Sequence, residues 1–251
     1  MAQLPDERRR ALLDHVLEVG PIDYPALADA LGVSVMTVRR DAESLADEQL
    51  LERVRGGVRP PDPLREPTPA EKRVLHPGRK HGIARAAREL VRPGAVLGIG
   101  AGTTTLAFAR AIADVPDLTV VTNAIPIADA LSVLPPERVV LTGGTRTVSD
   151  ALVGPVADQA LAGMHLDLAV LGCHGFDAAA GFTAPNLQEA ATDRRFLERA
   201  TSGVVLADAS KWGTRGLTSF ASLDEIDVLV SDATLPSDAA LDRIMRVVRA
   251  G

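Results

Sequence analysis

A glycine-rich segment that ends in three threonines is the clearest candidate for binding chemistry in this sequence. It spans residues 98–105 and lies between a predicted strand and a predicted helix. Glycines let backbone amides approach an anion, and a helix N-terminus favours negative charge. The threonine hydroxyls add further donors, so the segment predicts a phosphate site. A tight turn that binds nothing is one alternative. A dinucleotide site is the other, although the spacing is not G-x-G-x-x-G and Asp117 lies near a loop.

Small and polar residues also follow the other predicted strands, at 122–123, 143–144, 172–175 and 208–211. Ligands bind at the carboxyl ends of strands in open α/β sheets. Lys211 could supply positive charge to a phosphate, and Glu189 could accept hydrogen bonds from sugar hydroxyls. Each residue could instead shape a turn, cap a helix or be solvated. The predicted effector-binding residues are Gly100, Gly102, Thr103, Thr104, Thr105, Thr122, Asn123, Gly143, Gly144, Gly175, Glu189 and Lys211.

A second candidate site lies near the N-terminus, where residues 26–41 have the pattern of a helix-turn-helix. Two short predicted helices meet at a turn that contains Gly32, and Ser34 can cap a helix that runs to about Asp47. Arginine can read guanine edges or bind phosphates, and a threonine methyl can touch thymine. A predicted β-hairpin adds arginines that would lie beside the DNA backbone as a wing. The predicted DNA-binding residues are Ser34, Val35, Met36, Thr37, Arg39, Arg40, Arg53 and Arg55.

The alternative for this region is a small helical domain whose arginines are merely solvated. Residues 8–10 are also arginines, and for them solvation is favoured over phosphate contact. The whole chain has a net charge of −6, so any contact with DNA must come from local clusters of arginine.

Composition places the chain among ordinary globular proteins. Hydrophobic residues make up 46% and charged residues 24% of the 251 residues, which excludes a disordered or collagen-like chain. No apolar run is long enough for a transmembrane helix, and the charged start lacks the apolar core of a secretory signal. Cys173 is the single cysteine and is expected to be a buried thiol without chemistry. We therefore expect a cytoplasmic protein without a membrane partner, and we predict no catalytic residue, metal ligand or cofactor.

A run of prolines divides the sequence into a short and a long part. Five prolines lie between residues 60 and 69, and proline favours an extended spacer. We predict a winged helix-turn-helix DNA-binding domain at 1–60, a proline-rich linker at 61–75 and an effector-sensing α/β domain at 76–251. In the long part, predicted strands at 95–99, 118–121, 138–141, 167–171, 203–206 and 227–230 alternate with predicted helices at 103–113, 125–134, 156–164 and 187–200. This alternation predicts a mainly parallel sheet covered by helices on both faces.

The residues of the first part match a known family. Val33-Ser34-x-Met36-Thr37-Val38-Arg39-Arg40-Asp41, followed by Leu45, Leu51, Arg53-Val54 and Gly56-Gly57, strongly resembles the DeoR-type family of bacterial sugar-responsive transcription regulators. Matching stretches continue at 102–104, 122–123, 143–144, 152–155, 181–183, 189–190 and 208–211. The resemblance implies a winged helix-turn-helix followed by a domain like that of the ribose-5-phosphate isomerases, which senses a phosphorylated metabolite. One position departs from the pattern, because the family usually has an aspartate where this chain has Gly100.

The sequence thus predicts a transcription regulator, a repressor whose partners are double-stranded operator DNA and a phosphorylated sugar or polyol effector. One short winged domain reads few base pairs, so a homo-oligomer with paired half-sites is expected. The alternative is a sugar-phosphate isomerase-like enzyme. It is less favoured because residues 172–177 lack the paired acids of the isomerase signature Asp-Gly-Ala-Asp-Glu.

Overall fold

The computed structural model describes residues 5–48, 50–60 and 76–251, so the predicted linker at 61–75 lies outside the described residues. The chain divides into two compact units, Met1–His76 and Pro77–Gly251. Each unit has its own hydrophobic core and is described separately.

The first unit combines a three-helix cluster with a small antiparallel sheet. Its helices are α1 (Pro5–Val19), α2 (Tyr24–Leu31) and α3 (Val35–Asp47). Its strands are β1 (Ile22–Asp23), β2 (Glu52–Val54) and β3 (Gly57–Arg59), in the order β1-β3-β2. Side chains from every helix and from β3 form the core, among them Leu12, Leu27, Val38, Leu45 and Val58.

Local capping explains where α2 and α3 begin and end. The Asp23 carboxylate accepts a hydrogen bond from the Ala26 amide at 2.8 Å and so caps α2. Gly32 ends that helix with a φ of 65°, a left-handed conformation that glycine adopts without steric cost. Ser34 then caps α3. The predicted helix-turn-helix is therefore confirmed, and these bounds agree with the sequence pattern.

The second unit is built on a seven-stranded parallel sheet in the order β15-β14-β12-β9-β4-β5-β6. Its strands are β4 (Val96–Ile99), β5 (Thr119–Thr122), β6 (Val139–Leu141), β9 (Leu166–Leu171), β12 (Ala200–Leu206), β14 (Val228–Asp232) and β15 (Arg246–Ala250). The helices are α4 (Pro77–Arg88), α5 (Thr103–Ile112), α6 (Ile125–Ala130), α7 (Pro155–Ala162) and α8 (Leu187–Glu198). Short 3₁₀ turns occur at Pro136–Arg138, Ala209–Lys211, Leu223–Glu225 and Ala239–Arg243.

Alternate residues of each central strand enter two separate cores, one on each face of the sheet. In β9, Val170 faces one core and Leu171 the other. The first core receives side chains from α4, α5 and α6, and the second receives them from α7 and α8. Helices therefore cover both faces, as parallel sheets require. The predicted α/β class with a mainly parallel sheet is confirmed.

Several elements do not follow from the sequence pattern. A small sheet, β10 (Gly175–Asp177), β11 (Gly181–Ala184) and β13 (Thr218–Ala221), adds to the second core, and β7 (Thr145–Arg146) pairs with β8 (Leu152–Val153). These strands are too short to show a period of two. The predicted helix at 125–134 ends at Ala130, because its last residues form tighter bonds such as Leu134 amide to Leu131 carbonyl.

Candidate DNA-binding surface and effector site

The exposed side of α3 carries most of the residues predicted to bind DNA. Met36 is 75% exposed and Val35 is 46% exposed, although both are apolar. Arg39 and Arg40 follow one turn later and are also exposed, so all four residues share a side of the helix. The opposite side holds Val38 in the core. This arrangement presents two cations and two apolar side chains on one open helix face.

Ser34 and Thr37 determine where this helix begins. The Ser34 hydroxyl accepts a hydrogen bond from the Thr37 amide at 3.2 Å, and the two hydroxyl oxygens are 2.8 Å apart. In the described structure both side chains therefore stabilise the first turn of α3, and this turn sets the direction of the helix.

The arginines of α3 carry uncompensated charge. The Arg39 guanidinium lies 5.6 Å from the centroid of the Tyr24 ring, within the range of a cation–π contact. Neither Arg39 nor Arg40 forms an ion pair with any residue that the structure describes. Their positive charge is thus available to a partner.

The predicted hairpin is confirmed as β2 and β3, and it lies beside α2. The Gly56 carbonyl at its turn accepts a hydrogen bond from the Tyr24 amide at 3.0 Å. Arg53 and Arg55 are exposed and have no ion pair within the described ranges. Arg59 differs from them, because its Nε donates to the Glu52 carboxylate at 2.7 Å.

The arginine run at 8–10 has a largely internal role. Arg8 Nε donates to the Asp41 carboxylate at 2.5 Å, and the two side chains are only 13% and 7% exposed. Arg9 donates to the Ser44 hydroxyl at 3.1 Å. These contacts hold α1 against α3.

In the second unit, the sheet order places the predicted phosphate loop at a crevice. From β4 the chain builds β5 and β6 on one side, and β9, β12, β14 and β15 on the other. Loops that leave the carboxyl ends of β4 and β9 therefore diverge, and such a reversal is where open α/β sheets bind ligands. The loop that contains Gly100 and Gly102 follows β4 at this point.

Hydrogen bonds fix the start of this loop and leave its end open. The Gly100 amide donates to the Val170 carbonyl and the Ala101 amide donates to Asn123 Oδ1, both at 3.0 Å. The amides of Thr103, Thr104 and Thr105 occupy the first turn of α5, where no helical acceptor exists.

The three threonines differ in what their hydroxyls do. The Thr105 hydroxyl donates to the Gly102 carbonyl at 3.0 Å and is fully buried. The hydroxyls of Thr103 and Thr104 have no hydrogen-bond partner among the described residues, and Thr104 is only 9% exposed. Free amides and free hydroxyls together provide donors for an anion.

Thr122 and Asn123 at the end of β5 support the loop from below. The Thr122 hydroxyl donates to the Ile99 carbonyl at 2.7 Å. Asn123 accepts from Ala101 and donates through Nδ2 to the Leu152 carbonyl at 3.1 Å. Both side chains are buried, so their polar atoms hold the loop in place.

The remaining predicted glycines lie where other backbone approaches closely. A Cβ on Gly144 would lie 2.6 Å from the Val153 carbonyl oxygen, and one on Gly175 would lie 2.2 Å from the Thr214 carbonyl oxygen. Gly143 forms the turn with Gly144 and has a φ of 73°. Close packing explains why a side chain is absent at Gly144 and Gly175.

Glu189 lies in the first turn of α8, and Lys211 lies in the 3₁₀ turn that follows β12. Glu189 is buried, and its Oε1 accepts a hydrogen bond from Asn186 Nδ2 at 3.0 Å. Lys211 is partly buried, and its side chain forms no hydrogen bond or ion pair with residues in the described ranges. An ammonium group without a counter-ion in this place suits a bound anion.

Three charged side chains influence the pKa of the Cys173 thiol, which follows β9. Burial raises the pKa of the Cys173 thiol to about 12, while the Lys211 ammonium acts to lower it and the carboxylates of Asp208 and Asp193 act to raise it. The thiol is therefore protonated at neutral pH, as expected for a group without chemistry.

Asp193 belongs to this group of charges and was missed in the sequence. It follows Glu189 by one helical turn, so both lie on the same side of α8. That spacing was the available signal. Among the described residues, no group of three histidine, cysteine, aspartate or glutamate side chains could hold a metal ion. Within the same ranges, no helix has the length and apolar character needed to cross a membrane.

Comparison with known proteins identifies both units. Residues 8–63 match the DeoR-like helix-turn-helix domain, and residues 75–233 match the DeoR C terminal sensor domain. The chain is 39% identical over 238 residues to the HTH-type transcriptional regulator GlpR of Haloferax volcanii, which covers 94% of this chain and 93% of that protein. It is 27% identical over 231 residues to the glycerol-3-phosphate regulon repressor of Escherichia coli K12, with 92% of both chains covered.

A solved structure of ribose 5-phosphate isomerase A from Neisseria gonorrhoeae is also similar, at 18% identity and a TM-score of 0.38 over 54% of this chain and 53% of that one. That similarity is too low to support an argument about function. The two domain matches and the full-length relatives favour the regulator over the enzyme. This chain belongs to the DeoR family of DNA-binding transcription regulators, with an N-terminal helix-turn-helix domain and a C-terminal sensor domain.

Proposed function

We propose that this protein is a cytoplasmic repressor whose affinity for operator DNA is controlled by a phosphorylated sugar or polyol. The single observation that carries the effector half of this proposal is the loop at 100–105, where the first-turn amides and the Thr104 hydroxyl have no partner among the described residues. Lys211 supports it, because its ammonium acts on Cys173, whose neighbour Gly172 lies near the Ala101 carbonyl. The name of one relative, the glycerol-3-phosphate regulon repressor, supports a phosphorylated polyol.

The DNA half of the proposal rests on the open face of α3. Arg39 and Arg40 would contact guanine edges or phosphates in the major groove, and Met36 and Val35 would make apolar contacts there. Arg53 and Arg55 on the hairpin would contact the adjacent phosphates. We propose that a homo-oligomer places two such surfaces on paired half-sites, because one domain covers too few base pairs for a specific operator.

The effector residues divide by role in this proposal. The amides of 103–105, the Thr104 hydroxyl and Lys211 bind the phosphate. Thr122 and Asn123 position the loop, while Gly143, Gly144 and Gly175 allow the surrounding backbone to pack closely. Glu189 lies on the side where the sugar or polyol hydroxyls would extend.

Control of DNA binding requires that the effector bind the DNA-competent and DNA-incompetent arrangements with different affinity. A coupling free energy of about 1–3 kcal/mol would change operator affinity roughly 5–150-fold. α4 is the first described element after the linker, and it packs against α5, whose N-terminus forms the phosphate loop. Arg88 of α4 donates to the Ala111 carbonyl and to Asp114 beyond the end of α5. A shift of α5 would therefore also displace α4, the first described helix after the linker.

The test is a fluorescence-anisotropy titration of the full chain on DNA from its own upstream region, with and without phosphorylated sugars and polyols. Arg40→Ala should weaken operator binding at least tenfold, whereas Arg85→Ala, an exposed arginine on α4 of the other unit, should not. Equal affinities for both variants would contradict the assignment of α3. Isomerisation of any bound sugar phosphate would instead support the alternative of an isomerase-like enzyme.

A further inference from the structure

The carboxyl group of Asp193 on α8 lies beside the phosphate loop at the centre of the sheet. Its Oδ1 is 3.4 Å from the point that a Cβ on Gly100 would occupy. The same point is 2.7 Å from Leu171 Cδ2, at the end of β9. A side chain at residue 100 would therefore clash with Leu171, and glycine lets the loop backbone approach both Leu171 and Asp193.

The Asp193 side chain has no hydrogen bond or ion pair with any residue in the described ranges. Its neighbours are unfavourable to a negative charge, since Leu171 is apolar and Glu189 carries a charge of the same sign. Burial and the Glu189 carboxylate raise the pKa of Asp193 well above its ordinary range. No described residue partners this carboxyl group, so a ligand that bonded to it would add a contact that the protein itself does not supply.

A ligand hydroxyl would supply the missing partner. A phosphate on the amides of 103–105 would lie at one end of the crevice, and the carbon chain attached to it would extend past Gly100. A carboxyl group can accept a hydrogen bond from a hydroxyl when ionised, and it can also donate one when protonated. Inorganic phosphate has no carbon chain and would not reach this group.

We propose that Asp193 is the specificity-determining residue of the effector site, where it binds a hydroxyl of the sugar or polyol and thereby distinguishes the effector from simple phosphate compounds. This inference rests on the proposed effector function. Gly100 contributes because its lack of a side chain lets the loop backbone pack against Leu171 and so brings the loop beside Asp193.

The test compares glycerol 3-phosphate, ribose 5-phosphate and fructose 6-phosphate with propyl phosphate, a monoester without hydroxyls. Binding to the full chain is measured by isothermal titration calorimetry. Wild-type protein should bind at least one hydroxylated ester about tenfold or more tightly than propyl phosphate, and Asp193→Leu, which removes both donor and acceptor, should reduce that preference to about threefold or less. Glu198→Leu, the same loss of a carboxyl group on the exposed side of the same helix, should preserve the preference.

The outcomes separate the two proposals. A wild-type protein that binds none of the four esters would overturn both the effector function and the role of Asp193. If wild-type protein binds esters but Asp193→Leu keeps the hydroxyl preference, or weakens all esters equally, only the role of Asp193 is overturned. A loss confined to the hydroxylated esters supports it, and a matched melting temperature for the Asp193→Leu and wild-type proteins shows that the variant is folded.

Discussion

At the scale of single residues, Thr104 is a buried threonine whose hydroxyl has no partner among the described residues and could bind a ligand. Thr105 uses its hydroxyl on the Gly102 carbonyl, so the same residue type has a structural role one position later. Neighbouring threonines therefore have different roles. A hydroxyl that already bonds to the protein has a structural role, and a hydroxyl without an acceptor is available to a ligand.

We expect Thr104→Val to weaken binding of the phosphorylated effector about tenfold, because valine keeps the shape of threonine and removes one donor to a charged group. Calorimetry on the full chain would measure this loss, and operator affinity without effector should not change. Thr119→Val serves as the control, since Thr119 lies at the amino end of β5, whereas the effector loop lies at the carboxyl ends of the strands. An unchanged effector affinity in Thr104→Val would remove Thr104 from the site.

Asp177 provides a pH-dependent contribution to the stability of the sensor unit. The Arg215 guanidinium and the amides of Ala180 and Ala179 lower its pKa to about 2. A carboxyl group whose pKa is lowered in the folded state contributes stability above its unfolded pKa of about 4, and that contribution is lost as the pH falls towards 2.

Asp177→Asn should therefore lower the free energy of unfolding by about 1 kcal/mol at pH 7, a modest value because Arg215 is largely exposed. The difference from wild type should shrink as the pH falls from 5 to 3. Urea denaturation across this range measures both proteins under the same conditions. A difference that is constant with pH would show that the charge of Asp177 is not responsible.

At the scale of secondary-structure elements, α3 depends on its cap for both stability and direction. Ser34 satisfies an amide at the helix start that would otherwise lack a partner. The residue was predicted among those that bind DNA, and the described contacts give it a positioning role as well.

Ser34→Ala should destabilise the DNA-binding unit by about 1 kcal/mol, whereas Ser34→Asn should retain most of the stability because asparagine is also a good N-cap. Thermal unfolding measures this difference, and anisotropy on operator DNA gives the companion result. Recovery of both stability and affinity in Ser34→Asn would assign Ser34 to positioning. Loss of affinity in both variants at unequal stability would instead assign it a direct DNA contact.

At the scale of the whole molecule, an acidic chain is proposed to bind an acidic polymer. The net charge of −6 opposes association, while the unpaired arginines of α3 and the hairpin concentrate positive charge on one surface of the first unit. Local charge governs contacts with phosphates, because charges more than a Debye length away are screened.

We therefore expect operator affinity to fall steeply with salt, in a linear relation between the logarithms of the binding constant and the salt concentration. If Arg40 contacts a phosphate, Arg40→Ala should reduce the slope of that relation by about one. Titrations at several salt concentrations measure the slope for the wild-type and variant proteins. A profile that is flat for the wild type would contradict binding through phosphate contacts.

The sequence alone determined the helix-turn-helix, its caps, the hairpin and the alternation of strands and helices. These features depend on local signals such as Gly32, Ser34 and runs of apolar residues, which act within a few positions of themselves. The family resemblance could be read for the same reason, because its motif is contiguous.

Tertiary structure alone decided which residues meet. β10 and β11 form a local hairpin, but β11 also pairs with β13 much later in the chain, and β15 pairs with β14. Segments as short as 175–177 show no period of two. The approach of Asp193 to Gly100 joins positions 93 residues apart, and no local pattern encodes a contact of that separation. In the same way, the burial of Thr122 and Asn123 beneath the loop follows from the order of strands in the sheet, which brings the end of β5 beside the end of β4.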